Sequence, residues 1–401
     1  MINSSLPPAK ETSTNNVALV LPETISTSRH RFFRNVPESS WKDWKWQFRN
    51  RITSLEQLVR LISLSAEEQA HISSVIRRYP LSITPYYLSL VNPDDPDDPI
   101  RKQAVPCIQE ISMSSLGFED PLAEKENSVV PGLVHRYPDR ALIVLTDICP
   151  VLCRHCNRKR EWRHGAWTRT VAEIEAMLDY LRRHDEVRDV IISRIRAIKH
   201  IEIIRIGSRF PAVLPQRIDA DLCDMLSKYG PIWLNTHFNH PNEVTPEAAV
   251  ACDCILRAGV PVNNQAVLLR GINDSVATQT RLCHALLKAK VRPYYLFQCD
   301  EVQGTEHLRT PVETGIKIIQ GMRGHTSGLA VPNFAIDLVD GGGKVTLQPD
   351  YVLSMRKADL LLKNYEGKVF RYRNPNPQSR TVATSAVSGV VDNLTADGIV
   401  K

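Results

Sequence analysis

From Ala141 onward, short apolar runs alternate with longer amphipathic stretches, and this alternation restricts the fold more than any other feature of the chain. Runs of five to nine residues rich in Val, Ile, Leu and aromatics suit strands buried on both faces, which need helical crossovers between them. The expected strands are ALIVLTD from Ala141, DVIIS from Asp189, IEIIRIG from Ile201, IWLNTHF from Ile232, VNNQAVLL from Val262, RPYYLFQCD from Arg292 and NFAIDL from Asn333. Between most of them lie segments with apolar residues three and four apart: AEIEAMLDYLRRH from Ala172, ADLCDMLSKYG from Ala220, PEAAVACDCILRAG from Pro246 and VATQTRLCHALLKAK from Val276. The pattern predicts an α/β fold with a complete or partial (β/α) barrel. Such barrels gather their chemistry at the C-terminal strand ends, where this reading puts Asp147, His237, Gln265, Asp300 and Asp337.

Residues 1–30 are rich in Ser, Thr, Asn and Pro and lack any period, so a disordered tail is expected there. Residues 31–130 form an expected helical region, with Trp41, Trp44 and Trp46 ahead of Ile52, Leu55, Leu58, Leu61 and Ile62. Those tryptophans read as core residues. Residues 131–372 hold the barrel, and 373–401 read as a second flexible tail. The acidic run NPDDPDDP from Asn92 lacks the glycine and terminal glutamate of a calcium loop and reads as a turn. A net charge of +6, with its basic residues dispersed, does not call for nucleic acid. No apolar run approaches the ~20 residues that span a bilayer, so a cytoplasmic protein is expected. The nine cysteines, three of them crowded between Cys149 and Cys156, fit metal ligation in a reducing compartment better than disulfides.

Cys149, Cys153 and Cys156 follow the first barrel strand on one loop. Zinc in a structural site wants four ligands, usually from two separated pairs, and no second pair exists. Iron–sulfur clusters normally take four thiolates, so three leave one iron open to an outside ligand. The alternatives are three unrelated buried cysteines, or His155 joining them around zinc. The CxxxCxxC spacing is the signature of radical S-adenosylmethionine enzymes, in which the methionine end of the nucleotide fills the open position.

Several further segments make the likeness more specific: RYPDRALIVLTD from Arg136, CRHCNRKRE from Cys153, RIGSRFPAVLPQRI from Arg205, NTHFNHPNE from Asn235, VLLRGIND from Val267 and RGHTSG from Arg323. Together they resemble the lysine 2,3-aminomutase family, from about Trp41 to Tyr372. The resemblance implies a partial barrel of the radical S-adenosylmethionine type, a four-iron cluster on Cys149, Cys153 and Cys156, S-adenosylmethionine, and pyridoxal phosphate. It also implies an electron donor, an amino acid substrate and assembly as a homo-oligomer. Lys344, read here on a glycine-rich loop after the last strand, matches the lysine that carries pyridoxal phosphate; a desolvated lysine can lose its proton and form a Schiff base. Arg136, Tyr137 and Arg140 match the residues that hold its phosphate, and His237 and Gln265 are assigned to S-adenosylmethionine.

Arg158 matches the arginine that pairs with the substrate carboxylate, and Asp300 and Asp337 match two aspartates that grip the distal ammonium of lysine. Two carboxylates facing a closed site repel unless a cation lies between them, so a basic side chain is expected, with L-lysine first and L-arginine second. Glutamate ranks low. Two departures from the family stand out. Its glycine-glycine-acid loop after the second barrel strand is absent, and only Arg194 to His200 separate Ser193 from the next strand. That is too short for the usual crossover helix, so either one distorted strand from Ile195 to Ile206 or a lost helix is expected, with weak or absent activity, as in an impaired paralogue or a truncated product. No cysteine follows Cys299, so the structural zinc of some family members is not expected; Cys252 and Cys254 read as packing residues.

Overall fold

The computed structural model describes residues 32–190 and 193–375; both expected tails lie outside them, except for 373–375. Ten strands form one sheet whose order follows the chain without a crossing: β1 (Ser128–Val130), β2 (Leu133–Tyr137), β3 (Arg140–Ile143), β4 (Asp189–Val190), β5 (Ile203–Gly207), β6 (Ile232–Thr236), β7 (Val262–Leu268), β8 (Arg292–Gln298), β9 (Asn333–Leu338) and β10 (Gly343–Leu347). Strands β3 to β9 are parallel, while β1–β2–β3 and β9–β10 are antiparallel hairpins at the two ends. The seven apolar runs thus give seven parallel strands, and the partial barrel is borne out. The sequence pattern does not show the two terminal hairpins, because the apolar alternation is short there and the glycines before Lys344 read as a loop.

The crossover helices are α1 (Val171–Arg183), α2 (Ala220–Ser227), α3 (Pro246–Arg257), α4 (Val276–Lys288) and α5 (Val312–Met322). Their starts are written locally. Thr170 and Glu173 close a capping box on α1, and Asp219, Thr245 and Ser275 each accept a backbone N–H at the starts of α2, α3 and α4. Each cap stabilises its helix by roughly 1 kcal/mol. The apolar stripe of α1 puts Met177, Leu178 and Leu181 against the sheet.

The sheet curls. A Cβ on Gly341, in the β9–β10 turn, would sit 3.3 Å from Cδ of Arg136 on β2, so the two ends of the sheet approach one another. Gly341 and Gly343 have φ of +71° and +88°, which only glycine adopts without strain, and this lets the turn fold against the opposite end. Lys344 therefore lies on a strand, in register with Asp337, and not on a loop as the sequence suggested.

The helical N-terminal region packs into the same core as the sheet: Trp41, Ile52, Leu58, Tyr87 and Ile100 form one contiguous apolar cluster with Leu181, Ile204, Leu234 and Phe334. Trp41 is buried, whereas Trp44 lies under the guanidinium of Arg217 at 4.9 Å. In the acidic turn, Asp98 caps the next helix by accepting from the backbone of Ile100 and Arg101. Cys252 is buried in α3, as expected of a packing residue. A separate three-stranded antiparallel sheet follows: β11 (Val352–Met355), β12 (Asp359–Lys363) and β13 (Val369–Arg373). Among the described residues, no helix is long and apolar enough to cross a membrane.

Between β4 and β5 a 3₁₀ turn at Ser193–Ala197 replaces a crossover helix, and the two strands still pair in parallel. A single distorted strand from Ile195 to Ile206 does not form. An apolar hollow of about 300 Å³, lined by Ile204, Ile206, Leu222, Leu226, Ile232 and Leu234, opens beside β5 and β6.

Gly315 on α5 tests the tightness of helix-on-sheet packing, because a Cβ there would lie 2.2 Å from the ring of Phe334. Alanine would gain up to about 1 kcal/mol of helix propensity but force about 1–3 kcal/mol of overpacking. Urea unfolding of Gly315→Ala is expected to show net destabilisation of about 1–2 kcal/mol, while Gly328→Ala, with nothing near its Cβ, stays within about 0.5 kcal/mol of the parent.

Candidate active site

One cavity of about 710 Å³ opens at the mouth of the curled sheet. Its walls contain Arg136, Tyr137 and Arg140 from the β2–β3 hairpin, Cys153, Cys156 and Arg158 from the cysteine loop, His237 after β6, Gln265 from β7, Asp300 after β8, Asp337 from β9 and Lys344 from β10. Residues spread over more than two hundred positions are brought to one mouth by the sheet order alone. Cys149 lies apart, in a smaller hollow of about 180 Å³ with Arg51 and Asp147. Asp147 is not in the main cavity: its carboxylate accepts from the backbone N–H of Trp167 at 2.6 Å and ties down the loop. Gln265 sits in mid-strand opposite Tyr295 and not at a strand end.

The cysteine loop is irregular coil and is held by buried charge. Glu110 is wholly buried and accepts from Arg154 at 2.9 and 3.1 Å through Nε, and from Lys159 at 2.6 Å. Burial opposes ionisation of Glu110, yet Arg154 and Lys159 hold its carboxyl below the usual range. The two cations share one carboxylate in a dry site; burial first, then Arg154, pulls Lys159 down to about 8 against the attraction of Glu110. Arg154 also donates to the carbonyls of Pro80 and Tyr79, so the loop is pinned to the N-terminal region.

Burial, then Cys153, pushes Cys156 up to about 11, whereas Cys149 is exposed. Bringing such thiols to their anionic forms requires positive charge, which a bound metal cluster would supply. Among the described residues no three His, Cys, Asp or Glu side chains meet closely enough to hold a single ion. Cys153 and Cys156 face the main cavity beside Arg158 and Arg209, while Cys149, on the same loop, faces the neighbouring hollow.

At the opposite wall the ring of Tyr137 lies between two guanidiniums, with Cζ of Arg136 at 4.8 Å and of Arg140 at 4.5 Å. Arg136 donates to the carbonyl of Leu122 and to the Tyr137 hydroxyl, with no carboxylate partner of its own among the described residues. Arg140 pairs with Asp139 at 3.1 Å, and two guanidiniums with a phenol suit a phosphate dianion. Lys344 donates to both oxygens of Asp337 at 2.9 and 3.1 Å and lies 3.9 Å over the Phe297 ring. Asp300 is pushed up to about 7 by burial and by Asp337. Arg158 is held by Glu124 at 2.6 and 3.1 Å while still facing the cavity. His237 Nε2 donates to the Asn239 amide oxygen at 3.0 Å, and burial pulls its pKa down to about 3, so it is neutral. Thr236 Oγ1 and His155 Nδ1 are buried without a hydrogen-bond partner beside it.

Sequence reasoning gave no role to Arg205, Arg209, Tyr294, Tyr295 or Phe297, which also line the cavity. The signal was available for the first: an arginine inside the apolar run IIRIG is costly unless paired, and Arg205 bonds Asp189 at 2.7 and 3.0 Å.

A curled parallel sheet with its charged groups gathered at one mouth defines an α/β enzyme of the partial-barrel class. A family model described as lysine-2,3-aminomutase matches residues 319–399. The L-lysine 2,3-aminomutase of Clostridium subterminale is 47% identical over 86% of this chain and 88% of its own length. That of Fusobacterium nucleatum is 49% identical over 88% and 87%, and the glutamate 2,3-aminomutase of Clostridioides difficile is 37% identical over 89% of each. The chain belongs to the lysine 2,3-aminomutase family.

Two outcomes check this description. Glu110→Gln leaves Arg154 and Lys159 short of a buried counter-charge and is expected to cost about 3–5 kcal/mol in denaturant unfolding; a loss under 1 kcal/mol would contradict the pinning role. Asp300 has a folded pKa raised from 3.8 to about 7, so the folded state binds its proton more tightly and its contribution to stability falls as pH rises from about 4 to 7. Asp300→Asn is therefore expected to raise stability at pH 8 by roughly 1–3 kcal/mol and to flatten that slope in melts of the metal-free protein.

Proposed function

We propose that the protein is a radical aminomutase that moves the α-amino group of L-lysine to the β-carbon, using a four-iron cluster on Cys149, Cys153 and Cys156, S-adenosylmethionine, and pyridoxal phosphate on Lys344. The observation that carries the substrate choice is the pairing of Lys344 with Asp337, next to Asp300. Once Lys344 is engaged covalently, Asp337 loses its cation, and a substrate bearing a distal ammonium restores it. A glutamate side chain would add a third negative charge to that corner; a guanidinium would serve as well as an ammonium, which keeps L-arginine as the second substrate.

When bound, the cluster and S-adenosylmethionine supply a radical that removes hydrogen, and pyridoxal phosphate supports the nitrogen shift. The protein's own residues bind, orient and exclude water. Arg136, Tyr137 and Arg140 receive the phosphate, and Arg158, releasing part of its hold on Glu124, receives the substrate carboxylate. Neutral His237 and the mid-strand amide of Gln265 serve S-adenosylmethionine, with Thr236 and His155 offering unpartnered polar atoms nearby.

A second reading, an impaired family member, is favoured by one observation. The turn after β4 offers no carboxylate to the cavity; its Arg196 is engaged by the carbonyls of Gly230, Ile201 and Glu202. We therefore expect S-adenosylmethionine to bind weakly and turnover to be slow. Anaerobic reconstitution decides between the two. Four irons per chain, deoxyadenosine release and β-lysine support the aminomutase; cluster and pyridoxal phosphate uptake without deoxyadenosine support the impaired form; and a chain that takes up no iron sinks both. In an active preparation, Asp300→Asn and Asp337→Asn should each raise KM for lysine at least tenfold, and lysine binding should tighten as pH rises through about 7, where Asp300 ionises.

A further inference from the structure

All three nitrogens of the Arg209 guanidinium are hydrogen-bonded. It lies one position beyond Ser208, just after β5, and its fork is divided between two tasks. Nη2 donates to Glu243 at 2.6 Å, to Gln103 at 2.6 Å and to the Tyr87 hydroxyl at 3.1 Å, while Nε donates to the His237 carbonyl at 3.0 Å. The remaining nitrogen, Nη1, donates to the sulfur of Cys153. Glu243 is wholly buried and takes two backbone N–H bonds, from Asn239 and His240, besides the Tyr87 hydroxyl. A buried carboxylate fixed at three points thus fixes a guanidinium, whose one free arm is aimed at a cysteine.

We propose that Arg209 sets the reduction potential of the cluster through its N–H bond to the Cys153 sulfur, with Glu243 as the group that positions it. The inference rests on the cluster reading given above. Hydrogen bonds to cluster sulfurs and net charge around them are established determinants of cluster potential. A reduced cluster carries one more negative charge, so a buried cation beside a ligating sulfur favours the reduced state, and burial strengthens the effect by excluding water. Arginine suits the task because it does not deprotonate in proteins, which keeps its influence independent of pH. Its planar fork also lets it serve a carboxylate and a sulfur at once, which a lysine ammonium on a single point cannot do as well.

The test is an EPR-monitored redox titration of the reconstituted full chain. Arg209→Gln is expected to keep its iron and to lower the equilibrium constant for one-electron reduction about tenfold, or 59 mV. Glu243→Gln frees the guanidinium from its anchor and is expected to move the constant in the same direction as Arg209→Gln. Iron per chain and far-UV circular dichroism establish that each variant is folded and loaded. If Arg209→Gln does not retain iron, Arg209→Lys decides: it keeps a cation for Glu243 but cannot also reach the sulfur, and its potential should fall. A loaded Arg209→Gln or Arg209→Lys cluster with the parent's potential overturns the proposal. A parent chain that binds no iron sinks the cluster reading itself, so the two failures are told apart.

Discussion

A carboxylate with no exposure to solvent, Glu110, organises the part of the molecule that has no regular structure of its own. The stretch from Cys149 to Arg158 makes few backbone bonds in a repeating pattern, so its shape comes from side chains: Arg154 and Lys159 on Glu110 below, Arg209 on Cys153 at the side. Isolated charges at such depth would cost several kcal/mol each, and each is matched. The consequence is that the N-terminal helices cannot be regarded as an appendage. They supply Glu110, Tyr87 and Gln103 to the network round the cysteines and share one apolar core with the sheet.

Much of this was legible in the chain, and the exceptions have physical reasons. Strands β5 to β9 follow from dense β-branched and aromatic runs that leave little choice of conformation. Caps at Thr170, Asp219, Thr245 and Ser275 mark helix starts that pattern alone blurs by a turn. Strand β10 was not visible, because a strand of Gly, Lys, Val, Thr and Leu on a sheet end owes its form to pairing with β9 and to the positive φ of Asp340 and Gly341 before it and of Gly343 at its start. Helix α5 escaped notice because glycines at 315 and 321 dilute its propensity; Gly315 is there for the Phe334 ring and not for the helix. The placement of Cys149 behind the loop, away from the cavity that holds Cys153 and Cys156, is a tertiary fact that spacing does not encode.

The short β4–β5 link is instructive in the same way. A crossover of reduced length was expected to disturb the sheet, yet the parallel register of Asp189 with Ile203 and Val190 with Ile204 persists. The sheet tolerates the change because neighbours on both sides fix β5: it pairs with β6 over four residues, and Arg205 locks onto Asp189.

Strand order that follows chain order has a bearing on how the protein is made. Each strand from β1 to β10 can add to an edge already laid down as the chain leaves the ribosome, so most of the sheet can be assembled during synthesis. Lys344 lies on the tenth of those strands, and the turn before it must reach back to Arg136 on the second. The last strand of this sheet to emerge is thus the one that closes the cavity toward Arg136, and a chain cut short before it holds the cysteine loop but lacks Lys344 and the partner that Lys344 gives Asp337.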